Sequence, residues 1–429
     1  MAAAVPNQRT AERNGASPGW PALVAELAAS QAMRDCLNWF TREKQWINER
    51  HVQLCRIPAP TFFEQKRAEW MAEQFRSLGC EAALDRAGNV VCFLTPSGDG
   101  PLVALTAHLD TVLAPRSAAD VALSPDGALR GPGVSDNGAG LAALIAIAAA
   151  LKSCPDFDAS RFVLIANVGE EGEGNLSGMR YLCKQSPLAS RIRAFIILDG
   201  PSTDHITCQA LASRRFEVVV TGPGGHSWSD YGIGNPVHAL SRAITLFSDR
   251  TQGDEAASRY SFNFGVIEGG SSINSIPSAA HAKVDIRSEN PAKINELSSL
   301  LTACVEAALE TENERATSGK ISGKVKEIGS RPAGQLPDSA PLLNLVRAVD
   351  AHLGIRSRLD CASTDANIPL SLGLPAVSIG AGGQGGGAHT PAEWFHPEGR
   401  EFGLKRILLA ACSAATLLLT PTGPTLNDR

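Results

Sequence analysis

The chain has 429 residues, 44% of them hydrophobic and 19% charged, with a net charge of −5 and a pI near 6.0. This excludes a disordered, fibrous or membrane-spanning protein and leaves a chain long enough for two or three domains with a real core. The mild acidity and the 5% aromatic content also argue against a nucleic-acid or membrane-surface partner, which would require a basic face or a base-stacking surface.

Residues 1–20 read as a flexible tail, polar and rich in small side chains, without the apolar stretch of a signal peptide. Residues 24–78 carry a mainly helical pattern, interrupted at Ile57-Pro58-Ala59-Pro60, where two prolines forbid continuation. Unbroken apolar runs follow at 89–94, 102–107, 162–168 and 194–198, as expected of strands buried on both faces of a largely parallel sheet. Helical stretches at 138–152 and 177–185 lie between them, so this part is an α/β layered unit. The most apolar run, 141–151, is too short for a bilayer, which takes ~20 residues.

Beyond Ala212 the pattern changes to alternation. The segments 214–220, 261–266 and 280–287 predict an antiparallel sheet, covered by helices at 235–248 and 291–312. A polar, lysine-bearing segment at 312–326 and Arg331-Pro332-Ala333-Gly334 then lead back to α/β character, with a strand at 376–379 and a helix at 401–419. The expected organisation is a tail at 1–20, an α/β domain with a mostly parallel central sheet from 21–212 and 332–429, and an inserted α+β domain at 213–331. Ten scattered cysteines, with no C-x-x-C pair and mostly in apolar settings, predict buried reduced thiols in a cytoplasmic protein.

Residues able to do chemistry gather where open α/β sheets hold ligands, beyond the carboxyl ends of strands. His108 and Asp110 follow the strand at 102–107. They point the same way on an extended segment, so Asp110 can hold the far side of a liganding imidazole; the other reading is a polar strand end with a satisfied histidine. Asp136 lies in Gly131-Pro132-Gly133-Val134-Ser135-Asp136-Asn137-Gly138-Ala139-Gly140, directly before a helix. It is either an N-cap or a ligand, and the four glycines imply close backbone approach to something. Their spacing is not that of a dinucleotide-binding loop.

Glu170 and Glu171 end the strand at 162–168. Adjacent carboxylates there face different directions, so that one can bind a metal while the other moves protons, or both form a solvated charge cluster. Asp199 ends another buried run and would be expensive to bury without a partner. His389 closes the glycine-rich stretch 381–388, which is either a flexible linker or a backbone shaped around a ligand. Two histidines and several carboxylates together suit one or two divalent ions, zinc or manganese, with a water in an open position.

Five motifs in order give the chain a resemblance to a family of dinuclear-metal hydrolases that includes peptidase T, glutamate carboxypeptidase, acetylornithine deacetylase and the aminoacylases. They are His-Leu-Asp at His108 to Asp110, the Ser-Asp-Asn-Gly loop at Asp136, Glu-Glu at Glu170 and Glu171, Leu-Asp-Gly at Asp199, and the late His389, spread over roughly residues 50–420. The resemblance implies that Asp136 bridges two ions, that His108 and Asp199 complete one site, and that Glu171 and His389 complete the other. Glu170 becomes the general base and Asp110 the partner of His108. The inserted segment resembles the family's dimerisation domain, or lid. There Gly222-Pro223-Gly224-Gly225-His226-Ser227 is similar to a loop whose histidine reaches a neighbouring active site and polarises the scissile carbonyl. The stretch from Gly269 to Pro277 resembles a substrate-binding turn through Asn274, and Asp285-Ile286-Arg287 a strand whose arginine is structural or binds a carboxylate. By themselves His226 is a turn histidine and Asn274 an Asx-turn residue.

The implied activity is hydrolysis of a C–N bond, by an exopeptidase or amidase acting on small peptides or N-acyl amino acids as a homodimer. The alternative is an aminohydrolase that releases ammonia from an aromatic amine such as a nitro-substituted anthranilate.

Overall fold

The computed structural model describes residues 19–96, 98–154, 157–251 and 259–419; the expected tail lies outside them up to residue 18. The helical pattern at 24–78 resolves into Trp20–Ala29, Gln31–Arg42, Lys44–Cys55 and Gln65–Ser77, with the break at the two prolines.

Leu102–His108 and Phe162–Asn167 are buried along their whole length, and Ile192–Leu198 at all but one position. Strands of this kind have no face to offer water, so helices cover both sides. The sheet runs in the order Glu81–Leu84, Val90–Phe93, Phe162–Asn167, Leu102–His108, Ile192–Leu198, Ala376–Ile379, His205–Ala210, Gly334–Gln335, with Arg358–Ala362 also beside His205–Ala210. Its four middle strands, from Phe162–Asn167 to Ala376–Ile379, are parallel. Their carboxyl ends therefore share one edge, and His108, the Glu170–Glu171 loop and Asp199 all leave from it.

The helix Gly138–Lys152 is alanine and leucine at most positions and is buried all round from Gly138 to Leu151. It comes close because its start lacks side chains. A Cβ on Gly138 would stand 2.5 Å from Cys55 Sγ, and one on Gly133 2.4 Å from Thr111 Cγ2. The close approach implied by these two glycines is thus to the protein's own helices and loops.

A second core lies beyond Ala212. Four antiparallel strands, Tyr260–Gly269, Ala279–Ser288, Ala212–Thr221 and Ser322–Arg331 in that order, pack with helices Pro236–Thr251 and Pro291–Arg315. Phe216, Val218 and Val220 alternate inward and share this core with Ile286, Phe247, Leu297 and Leu301. Each such large apolar side chain contributes ~1.5–3 kcal/mol on burial. The polar connection expected over 312–326 is corrected: the helix continues to Arg315, and Ser322–Arg331 is a strand against Ala212–Thr221. This strand is at the sheet edge, half of its residues exposed, with an irregularity between Glu327 and Gly329. It therefore lacks the alternation that marks its neighbours.

A small four-stranded sheet (Gln384–Gly386, Trp394–His396, Leu129–Arg130 and Ala122–Leu123) ties the glycine-rich stretch to the loop before Asp136. That stretch is shaped backbone, not a linker. Among the described residues no helix is long and apolar enough to cross a membrane.

Candidate metal centre

Asn137 rather than Asp136 caps the buried helix. Its Oδ1 accepts from the Gly140 N–H at 3.1 Å, and its Nδ2 donates to the Leu198 carbonyl at 2.8 Å. Asp136 keeps a carboxylate that spans two histidines, Oδ1 at 3.0 Å from His108 Nε2 and Oδ2 at 3.1 Å from His389 Nε2. Asp199 Oδ1 lies 3.8 Å from the same nitrogen of His108, and Glu171 Oε1 2.8 Å from that of His389. Two overlapping triads result, His108–Asp136–Asp199 and Asp136–Glu171–His389, each with ligand atoms within 4.8 Å of one another. A third grouping joins His108, Glu170 and Glu171.

The atoms behind these groups fix their orientation. His108 Nδ1 is 3.0 Å from the Asp110 carbonyl oxygen and 3.6 Å from its Oδ1. An Nδ1–H donated to that carbonyl leaves Nε2 as the ligand nitrogen. The buried Asp110 carboxylate is occupied elsewhere, accepting from Thr61 Oγ1 at 2.9 Å, Glu170 N at 3.0 Å and Glu171 N at 2.9 Å. Asp110 thus holds the backbone of the glutamate pair against the histidine strand. Glu170 Oε1 accepts from Arg331 Nη1 at 2.8 Å, and its backbone carbonyl accepts from Arg331 Nη2.

Burial works against a charged His108, yet Asp110, Asp136 and Asp199 outweigh it and hold the imidazole well above its usual range. Asp136 and Glu171 raise half-exposed His389 to about 10. Burial pushes Asp136 up, but the two histidines prevail and hold it well below the carboxylate range. Carboxylates that draw protons onto both imidazoles are a place for positive charge, and a mixed nitrogen and oxygen donor set suits a divalent cation in exchange for those protons. Burial lifts the Glu170 carboxyl well above its ordinary value, against Arg331 and with Glu171. Burial also lifts Asp365 to about 7, against the pull of His108 and a 2.7 Å hydrogen bond from Asn167 Nδ2.

Seven of the expected residues, His108, Asp110, Asp136, Glu170, Glu171, Asp199 and His389, are therefore in one place. The other three lie on the small lobe. Gly225–His226 pairs with Ser275–Ile276, and Ser227 N donates to the Asn274 carbonyl at 3.0 Å, which brings His226 and Asn274 together but not to the cluster. His226 Nδ1 accepts from the N–H groups of Trp228 at 3.2 Å and Ser229 at 3.3 Å, so the neutral ring carries its proton on Nε2. Arg287 Nε donates to Asp285 Oδ2 at 2.7 Å within the lobe's own sheet.

Three residues escape a sequence reading. Arg331 looks like part of a turn before Pro332, Asp365 has no motif around it, and Glu393 is marked only by its place four residues after His389.

The sequence profile of peptidase family M20/M25/M40 matches residues 104–411. The uncharacterized protein YqjE of Bacillus subtilis is 23% identical over 356 residues, 79% of this chain and 91% of that protein. Matches to probable carboxypeptidases of two fungi span less than half of those proteins. Among solved structures, aminopeptidase PepT from Bacillus cereus superposes with a TM-score of 0.67 at 19% identity, covering 87% of this chain and 99% of PepT. The YXEP protein of Bacillus subtilis, a dinuclear metal binding peptidase from the M20 family, superposes at 0.62 with 15% identity, covering 88% and 99%. These superpositions establish the fold, a mostly parallel α/β sheet carrying a lid. The profile goes further, since it takes in every residue of the cluster from His108 to His389, and by that match the chain belongs to peptidase family M20/M25/M40.

Proposed function

We propose that the chain is a metal-dependent hydrolase of amide C–N bonds, an exopeptidase or amidase on small peptides or N-acyl amino acids, active as a cytoplasmic homodimer. The observation that carries this reading is the Asp136 carboxylate, set with one oxygen toward each of two histidines and with Glu170 close by. His108 and Asp199 would hold one divalent ion, Glu171 and His389 the other, with Asp136 common to both; zinc and manganese suit these donors. Bound there, such ions supply Lewis acidity toward a carbonyl oxygen and acidify a water.

Glu170 would take a proton from the water that adds to the carbonyl carbon and pass it to the nitrogen as the C–N bond breaks. Burial favours its protonated form, and Arg331 and His108 oppose that shift without cancelling it. Arg331 keeps the carboxyl aimed by gripping both its Oε1 and the backbone carbonyl of the same residue. His226 donates from Nε2 to the carbonyl oxygen of a substrate held by the other copy, while Asn274 contacts the substrate and Arg287 meets its carboxylate.

The test is a hydrolysis screen over dipeptides, tripeptides, N-acyl amino acids and nitro-substituted anthranilates, with zinc and manganese supplied separately. Turnover on peptides or N-acyl amino acids that disappears on chelation is expected. Turnover confined to the anthranilates replaces the amide reading with ammonia release from an aromatic amine, and full activity in metal-free protein ends the metal chemistry.

A further inference from the structure

Glu393 is 3% exposed, and its side chain gathers four donors from one short loop. Oε2 accepts from the Gly133 N–H at 2.7 Å; Oε1 accepts from Ser135 N at 2.8 Å, Ser135 Oγ at 2.9 Å and Asp136 N at 2.9 Å. The Glu393 backbone carbonyl takes the Gly131 N–H at 3.0 Å as well. The opposite edge of the same loop is held from the helix Lys44–Cys55: His51 Nε2 lies 2.8 Å from the Val134 carbonyl, and Cys55 Sγ 3.6 Å from that of Gly133. Three of the loop's N–H groups, those of Gly133, Ser135 and Asp136, thus go to one carboxylate, and its Gly133 and Val134 carbonyls face one helix. Neither oxygen of Glu393 faces an acceptor among these partners, and only a carboxylate offers acceptors at both positions.

The loop clamped in this way ends in Asp136, whose side chain stands between the two histidines. The clamp itself starts four residues after His389, on the same segment. We propose that Glu393 is the positioning residue that sets the Asp136 loop against the His389 loop, and that it thereby governs both metal sites together. This rests on the two-ion reading of the cluster. Asp136 is the one residue common to both triads, so a shift of its backbone changes both, whereas His389 belongs to one. Outer partners of metal ligands typically change affinity about 10–100-fold when removed.

The experiment is titration of the metal-free full chain with Co2+, followed by the visible absorption of the bound ion. The melting temperature of each metal-free protein is measured alongside. In Glu393→Gln an amide N–H₂ replaces one acceptor and meets a backbone N–H, and both Co2+ affinities are expected to fall by a similar factor, about 10–100-fold. His389→Ala is expected to weaken one ion only. Ser135→Ala removes a single donor and retains the fold, and it should weaken both ions by a smaller, similar factor. A purely structural Glu393 lowers the melting temperature of the metal-free protein and leaves the Co2+ spectrum and affinities as they were; that result overturns the proposal, as does weakening of one ion alone. If Glu393→Gln does not fold, Ser135→Ala decides by the same two criteria. Wild-type protein that binds fewer than two Co2+ ends the two-ion reading and this inference with it, whereas two ions bound with unaltered affinity in the variants end only this inference.

Discussion

His108 is 2% exposed and sits at the end of a central strand, with its Nδ1 fixed by a neighbouring carbonyl. His226 stands on a two-residue ladder of the small lobe beside Trp228 and Tyr231, which are 86% and 87% exposed. Both rings have one nitrogen occupied by the backbone, so each presents a defined Nε2. The difference is in what that nitrogen meets. Around His108 the large lobe has already assembled three carboxylates, whereas His226 is oriented toward nothing in its own chain among the described residues. Pre-organised chemistry on one lobe and an oriented donor without a side-chain partner among the described residues on the other are what the proposed site shared between two copies requires.

Four measurements break or sharpen that contrast. The largest effect is expected in the large lobe. Glu170→Gln should lower turnover by at least ~10²–10⁴-fold while metal content stays at the wild-type level, because the amide cannot accept the proton. Asp136→Asn should instead lose metal, seen by elemental analysis. Near wild-type turnover in Glu170→Gln would remove Glu170 from the role of base.

Next comes the independence of the lobes. Phe247 is fully buried in the small core, and Phe247→Ala should destabilise that lobe by ~3–5 kcal/mol, read as a lower melting temperature. Co2+ binding should be unaffected. Loss of the ions along with the small lobe would show that the large lobe is not assembled by itself.

His226→Ala tests the uncommitted donor. Loss of one oxyanion donor typically reduces turnover by ~10²–10³-fold, here with no change in metal content. Mixing the inactive His226→Ala and Glu170→Gln proteins should restore activity, up to about half that of a wild-type dimer in each mixed pair, because one site then has both residues. Proven subunit exchange without recovery would confine His226 to its own chain.

The smallest effect concerns acid. Burial, and then Arg400, hold His51 well below its usual value, so the folded chain keeps this ring neutral. The unfolded ring titrates near ~6.5, and the stability linked to His51 is full above that pH and is lost as pH falls toward its folded value. The melting temperature should therefore fall on acidification below about pH 6.5. His51→Gln, which keeps an acceptor for Arg400 and a donor for the Val134 carbonyl, should flatten that slope. An unchanged slope would assign the acid sensitivity to other groups.

Much of the large lobe can be read from local sequence because its strands are apolar from end to end and their polar residues come at the ends. His108, the glutamate pair and Asp199 are recognisable on that ground. Sequence alone does not separate cap from ligand at Asp136, because Asp and Asn are both good caps; in the fold it is Asn137 that reaches the Gly140 N–H. Asp110 was expected to hold His108 through its carboxylate; the nearer atom is its carbonyl, and the carboxylate serves the Glu170 and Glu171 amides sixty residues away. Arg331 and Glu393 have partners 161 and 257–260 positions distant, and no periodicity encodes such pairings. The strand Ser322–Arg331 carries no sequence signal for the opposite reason: at an exposed edge, burial imposes no pattern.

The short strand Ala376–Ile379 lies between Ile192–Leu198 and His205–Ala210, in the interior of the large sheet. During synthesis its two neighbours emerge long before it does. Until it arrives, Ile192–Leu198 offers an unpaired apolar edge, the kind of surface on which nascent chains associate wrongly. The strand that closes this gap is followed within ten residues by His389, so the filling of the sheet and the delivery of the second histidine are one late event. A chain released before that point would present half a metal site on an unfinished sheet, and a capacity for catalysis would appear only together with the removal of its stickiest edge.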